Sequence, residues 1–238
     1  MENATYAGIT RQHGLMAEMR TIANNIANAA TTGFKAEGVI FSEHVKRLDN
    51  GHPSLSMATA SVRNTTMSQG GLAQTGGPFD LAIEGDGFFL IETPQGQRLT
   101  RAGAFTSSGN GDLVTMDGHP VLDAGGAPVF VPQGAGQIGI APDGTISAAG
   151  QPIGQIGLVD VPDQTRLVRH GGTMFEALDG FEPSQTGRMM QGFLEQSNVN
   201  PIAQIGRMIE VQRAYELGQS FLEKDDERIR AVIKSLSR

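Results

Sequence analysis

The sequence predicts an α+β protein in which N- and C-terminal helices pair as a coiled coil or bundle and a central antiparallel, Gly-rich β domain lies between them. Three observations predict it. Apolar residues recur at helical spacing near both ends, they alternate with period two in the middle, and glycine punctuates that middle, 32 of the 238 residues being Gly. With 39% apolar and 5% aromatic residues and no Trp, the composition suits a turn-rich β domain carrying less compact ends.

The first element runs from Tyr6 to Ala30. Taking Ile9 as heptad position a puts Ile9, Met16, Ala23 and Ala30 at a and Met19 and Ile26 at d, with Leu15, Ile22 and Ala29 alongside. This is a helix with one apolar stripe. Thr31-Thr32-Gly33 then supplies a β-branched stop and a glycine able to take positive φ, so the helix ends there and Phe34 is thrown back against a neighbour. Residues 1–42 therefore read as an N-terminal helix and turn. Residues 43–70 are polar and weakly periodic, and read as a linker, a loop or extended connection.

From Gly71 to Gly180 the period becomes two. "DLAIEGDGFFLIET", "APDGTISAAGQPI" and "QIGLVDV" read as short strands, and Asn110-Gly111, Asp117-Gly118 and Asp143-Gly144 are dipeptides that accept type I′ hairpin turns. Residues 71–180 are thus expected to form a β domain that folds by itself. Residues 181–238 contain a return segment and a second helix entered at Pro201, a tolerated first helical residue. Its seam, Met208, Val211, Tyr215, Gly218, Leu222, Asp225, Ile229, Val232 and Leu236, keeps a 3-4 spacing to the end. Gly218 would permit close backbone approach, and Asp225 would be costly if buried alone.

Composition excludes several functions. A net charge of −7 disfavours nucleic acid or an anionic membrane surface as partner, and the absence of cysteine removes disulfide and thiolate chemistry. The N-terminus lacks the charged-then-apolar build of a signal peptide, and no run approaches the roughly 18 apolar residues of a membrane span, so membrane insertion is not expected. Gly134-Ala135-Gly136-Gln137-Ile138-Gly139 spells a dinucleotide fingerprint, but Pro142 and an Asp-Gly turn stand where a phosphate-facing helix must begin. Asp80, Glu84 and Asp86 form a carboxylate cluster with no nearby His and no Trp platform for a sugar, and read as solvated strand charges. The five histidines make no metal-binding spacing. No catalytic residue, cofactor or metal site is expected, and the chain is read as a non-enzyme.

Association has better support. In "NNIANAATTGFK", Asn24, Asn25 and Asn28 fall at heptad positions b, c and f, opposite the apolar stripe, where a self-contained helix would carry better helix formers. Either this face is solvated, or it too is packed, with carboxamides bonding to neighbouring helices.

At these residues the sequence resembles the flagellar axial proteins, and within them the rod proteins of the basal body. "ANNIANAATTGFKAE" is similar to their N-terminal motif, carried by Ala23, Asn24, Asn25, Ile26, Ala27, Asn28, Thr32, Gly33, Phe34 and Lys35. "QGGLAQTGGPFDLAIEGDGFFLI", "LTRAGAF" and "GFLEQSNVNPIAQIGRMIEVQRAYE" resemble further blocks in the expected order. The short middle is most similar to the proximal kind of rod protein, with the distal rod or a hook-type protein as the alternative. Ala30 departs from the asparagine many relatives have there. The resemblance implies export through the flagellar type III apparatus without a cleaved signal, and assembly with itself and other rod proteins in the part of the basal body that spans the periplasm. It also implies terminal helices in the core of a tube that transmits torque from motor to hook. The expected assembly interface comprises Ile9, Met16, Met19, Ile22, Asn24, Asn25, Ile26, Asn28, Gly33 and Phe34, with Met208, Val211, Tyr215, Leu222, Ile229, Val232 and Leu236. A peptidoglycan-binding module and a β-domain hydrolase using Asp80, Glu84 or Asp86 are the competing classes.

Overall fold

The computed structural model describes residues 2–46, 55–132 and 134–236. It divides into two compact units, one made of Met1–Ala27, Glu37–Thr66 and Asn200–Arg238, the other of Asn28–Ala36 and Met67–Val199. The chain is α+β, with a helix near each end and mostly antiparallel strands between them.

In the first unit, helix α1 (Glu2–Ala27) packs against helix α2 (Pro201–Leu236). Asn200 caps α2: its Oδ1 accepts the Ala203 N–H at 3.1 Å, and Pro201 follows where a missing N–H is harmless. Strands β1 (Glu37–Lys46) and β2 (Leu55–Thr65) pair antiparallel and lie alongside α1. The segment 43–70, expected to be a loop or extended connection, therefore holds the end of one strand and all of another, while residues 47–54 lie outside those described. A bulge at Ile40/Phe41 shifts the register and breaks the alternation that would have announced the pair.

The second unit is built of short strands. In order they are β3 (Leu72–Gln74), β4 (Leu81–Glu84), β5 (Phe88–Thr93), β6 (Gly96–Thr100), β7 (Phe105–Ser107), β8 (Leu113–Thr115), β9 (Ile138–Ile140) and β10 (Thr145–Ala148). There follow β11 (Gln151–Gln155), β12 (Leu158–Asp160), β13 (Leu167–Arg169), β14 (Met174–Ala177), β15 (Glu182–Pro183), β16 (Arg188–Gln191) and β17 (Phe193–Glu195). The largest sheet has the order β13-β14-β6-β5-β12-β15; β9, β10 and β11 form another, and β16-β4, β17-β3 and β7-β8 are pairs.

Strand β5 sits in the middle of the large sheet and buries both faces. Phe89 and Ile91 join a cluster with Leu81, Phe105 and Leu113, whereas Phe88 and Leu90 join another with Leu99, Val159 and Phe175. Alternation is what divides four consecutive apolar residues between two cores. Phe89 meets Phe105 edge-on at 5.1 Å between ring centroids, and Phe88 meets Phe175 at 6.1 Å.

The hairpin turns differ from the expected type. Gly111, Gly118 and Gly144 have φ of 93°, 84° and 85°, but Asn110, Asp117 and Asp143 do not have positive φ, which type I′ requires at both central residues. Instead each glycine is the fourth residue of its turn and donates its N–H to the first, at 3.0 Å to Ser108, 2.9 Å to Thr115 and 2.9 Å to Ala141. The first residue in each case donates to the residue four on, at 2.8, 2.8 and 2.9 Å. This is a three-residue loop closed by a left-handed glycine. An Asx or hydroxyl side chain completes each of them: Asp143 accepts the Thr145 N–H at 3.0 Å, Ser108 the Asp112 N–H at 3.0 Å and Thr115 the His119 N–H at 3.1 Å.

Strand pairing does not stop at residue 180, the end expected for a β domain that folds by itself. β4 needs β16, β3 needs β17, and β12 needs β15, all of which lie beyond residue 180. A fragment of residues 71–180 is predicted to lack a cooperative thermal transition, and one of residues 28–199, which contains the whole second unit, to show one. Calorimetry of the two checks this, and a sharp melt with dispersed amide resonances for the shorter fragment would refute it.

Candidate assembly surfaces

The helix pair is held by a short apolar core. Leu15, Ile22 and Val211 are buried, with Met19, Ile26, Met208, Ala214 and Tyr215 packed on them. Two glycines bring the helices close: a Cβ on Gly218 would stand 2.5 Å from Gln12 Nε2, and one on Gly8 2.9 Å from Leu222 Cδ2. Polar bonds fix the register. Gln12 Nε2 donates to the Tyr215 carbonyl at 2.9 Å, and Arg207 reaches Glu18 at 2.7 Å and Glu210 at 3.1 Å. Bonding to Glu18 raises the Arg207 pKa above its ordinary value. Buried Asp225 is not left alone, since Arg228 donates to it at 2.6 Å.

Asn25 is 1% exposed, and its partners lie in its own chain. Its Nδ2 donates to the Glu37 carbonyl at 2.7 Å, its Oδ1 accepts the Glu37 N–H at 2.9 Å, and Nδ2 also reaches Gln204 Oε1 at 3.3 Å. The carboxamide thus treats the first residue of β1 as a strand would. Asn25 was expected to face other subunits; the chain instead turns back and covers that side of the helix itself. Asn24 is exposed and Asn28 half-buried, accepting the Thr31 hydroxyl at 3.1 Å.

Gly33 has φ of 68°, as the turn requires, and a Cβ there would fall 2.3 Å from the Ala102 nitrogen. Its N–H donates to the Glu195 carbonyl at 2.8 Å. Phe34, 1% exposed, lies under the Arg169 guanidinium at 4.5 Å. Both positions are buried inside the second unit.

Beside them sits a charge node that sequence reasoning missed. Lys35 Nζ lies 2.6 Å and Arg101 Nη1 3.2 Å from the Glu195 carboxylate, which is 0% exposed. Gly70 N–H adds a third donor at 2.9 Å, and Lys35 also reaches the Ser68 carbonyl at 2.9 Å. Burial lowers the Lys35 pKa; the Glu195 carboxylate opposes this, and Arg101 adds to it. In the sequence each of these charges falls inside a different motif block, Lys35 in the first, Arg101 in "LTRAGAF" and Glu195 in the last, and nothing local links the three.

Of the expected interface, then, Ile22, Asn25, Gly33, Phe34 and Val211 are buried within the chain. Met16, Met19, Ile26, Met208, Tyr215 and Leu222 are half-buried along the helix pair. Ile9, Ile229 and Val232 stand 41%, 37% and 47% exposed, and the side chain of Leu236 lies outside those described. A second apolar set was overlooked: Ile202, Ile205, Ile209, Leu217 and Phe221 are exposed on α2, away from the seam. The spacing of the three isoleucines was the available signal. Asp80 is tied to the Thr75 hydroxyl at 2.6 Å, and the glycines of 134–139 lead by a loop into β9. Among the described residues, no group of three or more His, Cys, Asp or Glu could hold a metal, and no helix is long and apolar enough to cross a membrane.

Three family profiles match the chain. They are described as Flagella basal body rod protein (residues 6–35), Flagellar hook protein FlgE/F/G D1 domain (residues 82–148) and Flagellar basal body rod FlgEFG protein C-terminal (residues 190–235). The flagellar basal-body rod protein FlgF of Caulobacter vibrioides is 38% identical over 245 residues, covering 100% of this chain and 99% of its own. FlgF of Mesorhizobium japonicum is 40% identical over 220 residues, 91% of this chain and 90% of its own. The flagellar basal-body rod protein FlgG of Bacillus subtilis is 33% identical over 263 residues, 98% of each chain.

Two substitutions test the buried polar contacts. Asn25→Ala installs a better helix former, yet it leaves the Glu37 N–H without its acceptor, and is expected to destabilise by about 1–3 kcal/mol net. Denaturant melts followed by helical circular dichroism read this, and a more stable variant would mean the Asn25–Glu37 pair is not formed. Glu195→Gln strands two buried cations and is expected to cost about 3–5 kcal/mol, lowering the thermal midpoint by roughly ten degrees. An unchanged midpoint would show that the cations are solvated.

Proposed function

We propose that this chain, which belongs to the flagellar basal-body rod protein family and is a structural subunit of the rod, takes its place in the proximal rod and polymerises there through its terminal helices. The observation that carries the reading is the match to FlgF proteins from one end of the chain to the other, including both helices. In a tube of such subunits the helix pairs form the core and transmit torque from the motor towards the hook. Partners are other rod proteins and further copies of the chain. The subunit reaches the periplasmic part of the basal body through the flagellar type III apparatus, without a cleaved signal.

The distribution of apolar residues supports assembly through the helices. The half of the α2 seam from Met208 to Leu222 is occupied by α1, while Ile229 and Val232 continue the same stripe and keep more than a third of their surface in water. A seam that outruns its partner within the chain has room for another molecule. Heterologous contacts of this kind, repeated without closing, generate a helical array.

Ile229→Asp places a charge in that seam and is expected to leave the second unit's thermal midpoint within a degree or two of the parent, because the residue is already exposed. Rod formation should be lost, since the same unpaired charge recurs at each contact, and cells carrying only this variant should lack hooks and not swim. Lys234→Asp, off the seam, should be much milder. Normal swimming with Ile229→Asp, or loss of the second unit's fold, would refute assembly through this stripe.

A further inference from the structure

Ile202, Ile205 and Ile209 stand 82%, 50% and 46% exposed on α2. At about 100° per residue they lie within a 60° arc, on the side of the helix opposite Val211. Three isoleucines so placed form a ridge that water does not favour. Twelve residues further along, the same helix borders a groove of about 520 Å³ between α1 and α2, whose walls include Gly8, Leu15, Ala214 and Gly218 and whose lip is Leu217 and Phe221. The lip residues are themselves 73% and 54% exposed.

We propose that the ridge of one molecule seats in the groove of a second copy of this chain, a contact that rests on the assembly reading above and specifies its geometry. Both features lie on one continuous helix, so they cannot meet within a molecule. Their lengths match: Ile202 to Ile209 and Ala214 to Phe221 each span roughly 10 Å of helix at about 1.5 Å per residue. Gly8 and Gly218 stand on its walls, where they let the two helices approach. Charge agrees. Arg11 on the groove wall has no ion-pair partner among the described residues, and the ridge ends beside Glu210, whose carboxylate meets only the exposed Arg207 among them. Parallel neighbours joined in this way are shifted along the helix axis by roughly 18 Å, which brings Ile205 of one opposite Leu217 of the next. The contact is head-to-tail and leaves a free ridge at one end and a free groove at the other.

Because the chain has no cysteine, engineered thiols report this contact without background. Ile205→Cys and Leu217→Cys, both at exposed positions, are mixed and oxidised mildly at a concentration where the parent sediments as more than a monomer. The mixture should give a disulfide-linked pair carrying one of each, while either variant alone, or Ile205→Cys with Gln219→Cys, should give at least tenfold less. Ile205→Asp should weaken self-association at least tenfold with unchanged helical circular dichroism. Efficient linking of Ile205→Cys to itself would mean a symmetric ridge-to-ridge dimer, and no linking in an associated sample would place the contact elsewhere; either overturns the proposal. So would a parent chain that stays monomeric at millimolar concentration. That last result leaves the rod assignment intact, since its own test is motility with Ile229→Asp.

Discussion

The second unit depends on one buried carboxylate. Glu195 takes Lys35, Arg101 and the Gly70 N–H onto two oxygens with no exposure to water. Withdrawing three charges from solvent costs several kcal/mol apiece, and only near-complete satisfaction of their lone pairs and protons offsets it. The surroundings supply most of it: Lys35 has a second acceptor in Ser68, and Arg101 donates to the Gly85 carbonyl at 2.9 Å and lies over the Phe88 ring at 5.3 Å, while its Nε has no acceptor among the described residues. Apart from Arg101 and its own contacts, these groups come from the segments by which the chain enters and leaves the unit, around residues 35, 70 and 195. Asn198 ties the same segments again, accepting the Ala36 N–H at 2.7 Å and donating to Ser68 at 2.9 Å. A one-residue slip of β17 against β3 would turn Glu195 to the opposite face and leave both cations unmatched, so the node also fixes register.

The β-rich body around this node uses one turn design repeatedly. A left-handed glycine in fourth place, with a reciprocal bond from the first residue, closes the hairpins at 108–112, 115–119 and 141–145, and Asp123–Ala127 repeats the bonding with Gly126 at φ of 85°. Many short strands joined in this way expose little edge, and both faces of β5 are covered. The result is a body whose apolar residues are mostly consumed internally, with Phe130 and Leu178 among the exceptions.

The helix unit is arranged differently. Among the described side chains its core is three buried apolar residues with their half-buried neighbours, and polar groups carry much of the specificity: Asn25 on β1, Gln12 on α2, Arg207 between Glu18 and Glu210. Most of α2 remains exposed, isoleucines included. A lone protein gains nothing from such a surface, whereas a subunit that is surrounded after assembly buries it. The asparagines of the N-terminal motif therefore divide by role: Asn25 serves the fold of the single chain, and Asn24 stands on the exposed face.

The sequence by itself determined the α+β class, the two terminal helices, the stop at Gly33, the β character of the middle and the family. All of these rest on local signals: a 3.6 or 2.0 period, a glycine at a turn, a block of motif residues. What only the tertiary structure decided involves partners distant along the chain. Lys35 and Glu195 are separated by 160 positions, and no periodicity links them. The hairpin of β1 and β2 was hidden because a bulge spoils its alternation. The true boundary of the β body lies near residue 199, because its last strands close pairs begun at residues 72–84. Asn25 looked like an outward-facing residue because a heptad frame assumes one apolar seam, and a returning strand covers what that frame assigns to water. Local chemistry chooses the elements; which faces are buried follows from where the chain goes next.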